Sequence, residues 1–141
     1  MVSVRDFRGM DLFRMRSHIL LMKILGTLTR IYTTTFDETL RFYEDLTGTK
    51  AGIRFALPAA GLELAQVQDI LIIAGSDDTL QPFRSTNATF LVDSLEDYHR
   101  FLTAHGAEII RQPQTVPTGM NMTIRHPDGS VVEYVEHRKN S

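Results

Sequence analysis

The sequence predicts an α+β fold built from two tandem βαβββ units. Three observations predict it: strand-like and helix-like segments recur in the same order in both halves, a similar helix-start signal occurs in each half, and a polar, proline-containing segment separates the halves. At 141 residues the chain is long enough for one domain with a sizeable core and short for two independent cores.

The first unit begins with a strand at 28–33, where side-chain character alternates and β-branched or aromatic residues are frequent. A helix over 36–46 follows. Thr35 and Glu38 resemble a capping box at its start, and Gly48 suits the left-handed turn after its last residue. Three strands complete the unit, at 51–57, 61–67 and 70–75.

A polar segment, 76–86, is predicted to link the halves, and the second unit repeats the pattern of the first. A strand at 87–92 precedes a helix over 95–105, with Ser94 and Asp97 in the capping positions and Gly106 after the helix. Three more strands follow, at 107–111, 119–125 and 131–136. The two repeats therefore span 23–75 and 87–137.

The first 21 residues differ in composition, since four arginines and two aspartates give them a charge of +2. They make a poor signal peptide, because the apolar run over 19–22 is interrupted at Lys23 and no small-residue cleavage site follows. Two readings stay open. Residues 1–21 form an N-terminal extension with a short amphipathic helix that packs on the domain or on a second subunit, or they are non-native sequence upstream of a natural start at Met22. The single domain then comprises 22–141.

Composition excludes several classes of function. Fifteen basic against seventeen acidic residues give a net charge of −2, which predicts no nucleic-acid partner. No stretch approaches eighteen consecutive apolar residues, so no membrane association is expected. The absence of cysteine rules out thiol nucleophiles, disulfides and thiolate metal sites, and fits a cytoplasmic location. No nucleophile elbow, phosphate-binding loop or dinucleotide fingerprint occurs.

Three stretches resemble one protein family: TFDETLRFY at 35–43, GAE at 106–108 and HPDGSVVEYVEH at 126–137. They are similar to signatures of the vicinal oxygen chelate superfamily, which includes glyoxalase I, bleomycin-resistance proteins and extradiol dioxygenases. The resemblance covers about residues 23–137. It implies a cupped, mostly antiparallel mixed sheet with the helices outside, and a homodimer whose subunits share or complete each other's cups.

In metal-dependent members of that family, His, Glu or Gln side chains from the first and last strands of each half hold a divalent metal. The corresponding positions here are Leu28, 70–73, Asn87 and Glu133. One carboxylate and one amide fall short of the three protein ligands that a catalytic zinc needs. We therefore expect no metal and no other cofactor. Solvent-exposed or turn positions are expected for the histidines of the second half, which are His99, His105, His126 and His137.

Alternation along the strands, in the register implied by the resemblance, assigns a ligand-binding face. The predicted ligand-binding residues are Leu28, Arg30, Tyr32, Asn87, Thr89, Leu91, Val131 and Glu133, with Val135 beside them. A carboxylate between valines is costly to bury unpaired, so Glu133 is expected either to meet Arg30 or to be protonated. Glu133 is then a ligand-orienting acceptor, a catalytic general base, or half of a structural pair with Arg30.

These observations favour a metal-free protein, similar to glyoxalases and bleomycin-resistance proteins, that binds a small amphipathic or aromatic molecule in the cup. The alternative is an enzyme of lyase, isomerase or dioxygenase type. Such an enzyme would use Glu133 as a general base, or a metal held by ligands that the register misplaces or that a second subunit supplies. A third reading is a structural or regulatory dimer module without an open cup.

Overall fold

The computed structural model describes residues 22–139, and its elements repeat the predicted order. The first half contains β1 (Ile24–Thr33), α1 (Phe36–Thr47), β2 (Ile53–Leu57), a single 3-10 turn (Pro58–Ala60), β3 (Leu62–Val67) and β4 (Ile70–Ala74). A short helix α2 (Asp77–Leu80) connects it to β5 (Thr86–Val92), α3 (Leu95–Ala104), β6 (Glu108–Val116), β7 (Gly119–Arg125) and β8 (Val131–His137). The predictions made for residues 1–21 lie outside the described residues.

All eight strands form one mixed sheet in the order β2-β3-β4-β1-β5-β8-β7-β6. Each half contributes one parallel pair, β1 with β4 and β5 with β8, and the two halves join through the antiparallel pair β1 and β5. The predicted α+β fold of two βαβββ units is therefore confirmed. The first and last strands of each half lie at the centre of the sheet, so side chains from both halves meet there.

The two helix-start predictions have different outcomes. Ser94 caps α3 as predicted, because its hydroxyl accepts a hydrogen bond from the Asp97 backbone N–H at 3.2 Å. Thr35 does not cap α1 with its side chain. The Thr33 hydroxyl instead accepts from the Thr35 backbone N–H and lies 2.7 Å from the Thr39 hydroxyl. Competition among neighbouring hydroxyl groups explains the lost cap.

Helices α1 and α3 cover one face of the sheet. Beneath α1, Phe36 and Leu40 join a cluster that includes Val67 and Ile72. Beneath α3, the buried residues of the cluster are Val92, Leu95, Tyr98, Leu102, Met122, Ile124, Val132 and Tyr134. The two main cores are thus formed by apolar side chains that alternate along each strand and face the helices.

The opposite face of the sheet is concave and has an apolar cluster of its own, formed by Leu28, Leu62, Leu71, Ile73 and Leu80. We call this face the cup. Leu80 belongs to the segment predicted as a polar linker, yet its side chain is fully buried, and Phe83 packs against the same cluster. The linker prediction missed this contact because one turn of helix is too short to show a hydrophobic period. The link between the halves therefore also closes one end of the cup.

The hairpin of β6 and β7 is irregular. Its register shifts once between Ile109 and Arg111 and again between Arg111 and Gln114, so β6 carries two bulges. At the turn, Gly119 has a φ of 152°, and a Cβ there would lie 2.1 Å from the Glu136 carbonyl oxygen. Only glycine fits this approach of two backbones.

Candidate functional site

The cup contains two adjoining cavities. The larger is about 490 Å³, and the smaller is an apolar recess of about 80 Å³. Leu57, Leu64, Val116, Asn121 and Glu133 border both of them. Strands from the two ends of the sheet, β2 and β6, line the same recess, which means that the sheet curls until its edges approach each other.

The apolar wall of the recess consists of Leu28, Ile53, Phe55, Leu57, Leu64, Leu71, Leu91, Val116 and Val135. These residues come from β1 to β6 and from β8, so both halves of the chain build the wall. Side chains of this kind lower the free energy of an apolar ligand group by removing it from water, at about 25 cal/mol per Å² of buried apolar surface.

A row of polar side chains crosses the cup from β1 to β6. We call Arg30, Thr89, Glu133, Asn121 and Arg111 the polar row; they lie on five successive strands of the sheet. Arg30 Nη1 donates to Glu133 Oε1 at 3.1 Å and to Thr89 Oγ1 at 2.8 Å. The Thr89 hydroxyl in turn donates to Glu133 Oε1 at 3.0 Å. Of the two states expected for Glu133, the structure has the pair with Arg30.

The second oxygen of Glu133 faces the other half of the row. Asn121 Nδ2 donates to Glu133 Oε2 at 3.0 Å, and Arg111 Nη2 lies 3.9 Å from the same oxygen. Arg111 Nη1 donates to Asn121 Oδ1 at 3.0 Å and its Nη2 to Thr123 Oγ1 at 3.2 Å. Glu133 is therefore held from both sides by donors, which offsets the cost of placing a carboxylate among apolar side chains.

Tyr32 connects the row to the segment that closes the cup. Its hydroxyl accepts from Arg30 Nε at 2.7 Å and lies between the carbonyl oxygens of Phe83 and Thr86, which share its one proton. Burial raises the pKa of the Tyr32 hydroxyl, against the opposing effect of the Arg30 charge. The hydroxyl is thus a neutral anchor for the connection between the halves.

The structure brings together some of the residues predicted to bind a ligand. Leu28, Thr89, Leu91 and Glu133 border the smaller cavity, and Arg30 borders the larger one together with Glu133. Three others border neither cavity, namely Tyr32, Asn87 and Val131. The Asn87 amide oxygen accepts from the Val131 backbone N–H at 3.0 Å, so these two residues bind each other at the β5–β8 junction. The role of all eight as ligand contacts stays a prediction.

Two members of the polar row, Asn121 and Arg111, were not predicted. Asn121 alternates with the apolar Met122 and Ile124, a pattern that indicates the cup side of β7. Alternation does not predict the position of Arg111. Ile109 packs toward α3, and in a regular strand the side chain two residues later, Arg111, would face α3 as well. The bulge next to it places both Ile110 and Arg111 at the larger cavity. The sequence does contain one indication of irregular pairing in this edge strand, namely Pro113, because proline cannot donate a hydrogen bond to a neighbouring strand.

The cup does not suit the divalent metal of the family's metal-dependent members. Within residues 22–139, no three His, Asp or Glu side chains come together. Glu133 is the carboxylate of the cup, and its oxygens already accept from Arg30, Thr89 and Asn121. A guanidinium 3.1 Å from this carboxylate also opposes a second cation at the same oxygen. The donor set therefore fails the requirement of three ligands.

The histidines lie apart from one another. His126 Nε2 is 2.7 Å from the Tyr134 hydroxyl beneath α3, and His105 stacks on Phe101. His99 lies 3.3 Å from the Gln112 side chain, and His137 borders the smaller cavity at the end of β8. Each therefore has a local environment of its own.

None of the helices among the described residues has the length and apolar character needed to cross a membrane.

Solved structures similar to this one include an uncharacterized protein from Methanosarcina mazei. It is 56% identical, with a TM-score of 0.80, and the match covers 84% of this chain and 97% of that chain. Methylmalonyl-CoA epimerase from Mycobacterium tuberculosis is 17% identical, with a TM-score of 0.66 and coverage of 82% and 90%. A Streptomyces coelicolor methylmalonyl-CoA epimerase in complex with 2-nitronate-propionyl-CoA is 14% identical, with a TM-score of 0.63 and coverage of 82% and 99%. At these identities the epimerases share the fold alone.

None of the curated proteins matches the chain significantly. The sequence model of the Glyoxalase/Bleomycin resistance protein/Dioxygenase superfamily matches residues 18–134, which is most of the chain. The paired βαβββ units, the curled sheet and the cup described above agree with that match. The chain belongs to the Glyoxalase/Bleomycin resistance protein/Dioxygenase superfamily.

Proposed function

We propose that the protein binds a small amphipathic or aromatic molecule in its cup without a metal ion. The observation that carries the proposal is the composition of the cup: an apolar wall on one side and, on the other, a polar row whose carboxylate is already satisfied by protein donors. A ligand with an apolar body and a polar end matches both parts.

The size of the cup supports this proposal. The larger cavity, at about 490 Å³, falls in the range typical of small-molecule sites, about 300 to 1,000 Å³. The recess beside it is narrow and mainly apolar, which suits a ring or a short aliphatic chain. Because Glu133 borders both cavities, a ligand that fills the recess would leave its polar end next to the polar row.

Binding is tested with the neutral fluorescent probe N-phenyl-1-naphthylamine. We expect saturable binding to the wild type, and at least a tenfold weaker affinity for Leu64→Trp, because the larger ring would fill space at the border of the two cavities. The matched control is Leu46→Trp on α1, where the side chain is 65% exposed and outside the cup. Equal binding by both variants would refute binding in the cup.

The metal-free part of the proposal is tested by elemental analysis of protein purified without a chelator. We expect no stoichiometric zinc, nickel, manganese or iron, since the described residues supply only one carboxylate ligand at the cup. A stoichiometric metal that is lost in Glu133→Ala would contradict the proposal and would place that metal at the polar row.

An enzymatic function is the second candidate, and the observation in its favour is that Glu133 borders both cavities. The hydrogen bonds weaken the case for Glu133 as a general base, because Arg30, Thr89 and Asn121 already use three of the about four acceptor sites of its carboxylate. If a substrate is found whose turnover is abolished by Glu133→Gln while the fold is intact, the enzymatic candidate replaces binding alone.

A further inference from the structure

We propose that the cup selects anionic ligands, and that Arg111 is the residue that binds a ligand carboxylate. This inference rests on the proposed function and adds the chemical class of the ligand. It is carried by three observations on the polar row: its charge balance, the unequal exposure of its two arginines, and the bulges that direct Arg111 into the cup.

The charge balance of the larger cavity is positive. Its charged lining residues are Arg30, Arg111 and Glu133. One carboxylate faces two guanidinium groups, at 3.1 Å and 3.9 Å, so one positive charge is left over. In a site with apolar walls, an unbalanced charge interacts with a ligand more strongly than it would in water. A carboxylate brought by the ligand would restore neutrality.

The two arginines are not equivalent. Arg30 has a side chain only 6% exposed, and it donates to Tyr32, Thr89 and Glu133. The side chain of Arg111 is 37% exposed. A guanidinium has five N–H donors. Within residues 22–139, Arg111 uses two nitrogens for hydrogen bonds, to Asn121 and Thr123, so further N–H groups stay available to a ligand. The surplus charge is thus carried by the accessible arginine.

The backbone of β6 supports a specific role for Arg111. Two bulges within a few residues disrupt the ladder with β7, and the first of them turns Arg111 from the α3 side to the cup side. Bulges cost ladder hydrogen bonds and commonly re-aim a side chain next to a binding site. Asn121 and Thr123 then fix the guanidinium plane, which prepares it for two-point binding of a planar carboxylate.

The test uses three probes with the same apolar body: naphthalene-2-carboxylate, naphthalene-2-carboxamide and 2-naphthylmethylamine. Affinities are measured by calorimetry at low salt for the wild type, Arg111→Gln and Arg111→Lys. Arg125→Gln is the matched control, because Arg125 belongs to the same hairpin, pairs with Glu108 and lies outside both cavities. Thermal unfolding confirms that each variant is folded.

For the wild type we expect the carboxylate to bind at least tenfold more tightly than the carboxamide, and the amine to bind most weakly. Arg111→Gln should remove this preference without changing carboxamide affinity, Arg111→Lys should retain part of it, and Arg125→Gln should retain all of it. The preference should decrease with added salt.

The two proposals fail in different ways. If all three probes bind equally well, or if Arg111→Gln keeps the full carboxylate preference, the inference is wrong while binding in the cup stands. If none of the three probes binds while N-phenyl-1-naphthylamine does, the inference is wrong and the proposed function stands; if that probe does not bind either, both are refuted. Should Arg111→Gln not fold, the wild-type preference and the Arg111→Lys result still decide the question.

Discussion

The pair between Arg30 and Glu133 leads to a quantitative prediction about stability. Arg30→Met removes a guanidinium carried by a side chain that is only 6% exposed. The carboxylate of Glu133, 18% exposed, would keep Thr89 and Asn121 as donors but lose its nearest cation. The variant should therefore be less stable, because a mostly buried carboxylate keeps only the more distant Arg111, at 3.9 Å, as a cationic partner.

The magnitude follows from the bonds that are lost. A hydrogen bond between charged groups contributes about 1.5 to 3 kcal/mol, and the bonds of Arg30 to Tyr32 and Thr89 add about 1 kcal/mol each. Burial of the methionine side chain returns about 1 to 2 kcal/mol. The expected net loss in the free energy of unfolding is about 3 kcal/mol, or roughly 10 °C in Tm for a chain of this size.

The assay is urea unfolding of the wild type, Arg30→Met, Glu133→Gln and the double variant. Because the double variant removes both charges of the buried pair and leaves only the more exposed Arg111, we expect it to be about 2 kcal/mol more stable than the sum of the single effects predicts. The matched control is Arg125→Met, whose arginine pairs with Glu108 at 3.4 Å but is 48% exposed, and it should cost less than about 1 kcal/mol. Additive effects of Arg30→Met and Glu133→Gln, or a loss no larger than that of the control, would refute the reasoning.

Three further predictions concern the fold. Gly119→Ala should lower the free energy of unfolding in urea by more than about 3 kcal/mol, because the added Cβ would lie 2.1 Å from a backbone oxygen. Gly52→Ala, whose Cβ would have no atom within 4 Å, should leave the free energy of unfolding nearly unchanged. Equal effects of the two substitutions would contradict the clash. Ser94→Ala should lower the free energy of unfolding by about 1 kcal/mol and Thr35→Ala by less, because of these two residues only Ser94 caps its helix with its side chain. A larger loss for Thr35→Ala than for Ser94→Ala would contradict the cap at Ser94. Burial raises the pKa of Tyr134 to about 12 from 10.0, so the folded state holds this proton more tightly and loses stability as pH rises. Between pH 9 and pH 11 Tyr134 should contribute at most about 1.3 kcal/mol of this loss in urea unfolding, and the loss should be smaller by that amount in Tyr134→Phe, where Tyr32 and Tyr98, whose pKa burial also raises, remain; an unchanged pH dependence in that variant would reject the assignment.

Much of the fold was predictable because its signals are local. The order of strands and helices follows from alternation and from helix-start residues, and Ser94, Gly48 and Gly106 act as their types predict. The Thr35 cap was wrong because competition from the Thr33 hydroxyl depends on how β1 leads into α1. The burial of Leu80 was missed because it depends on a tertiary contact across the cup.

The site was predictable only in part. Alternation in β8 separates Glu133 from Val132 and Tyr134, and the structure places these residues on opposite faces. The same rule misleads at Arg111, where bulges interrupt the alternation. Ligand binding, absence of a metal, a homodimer and a cytoplasmic location depend on partners and surroundings that local patterns do not encode, and they stay predictions.

The double bulge in β6 also has a consequence for how such a cup can change over evolution. Because the first bulge adds one extra residue, Ile110, it puts Arg111 on the cup side; substitutions that straighten β6 there without changing its length would turn Arg111 toward α3. Deletion of Ile110 would instead leave Arg111 next to Ile109, still on the cup side, and would remove only the Ile110 side chain from the larger cavity. Ligand preference can thus diverge between relatives through the bulges of one edge strand, while the central strands and their cores remain the same.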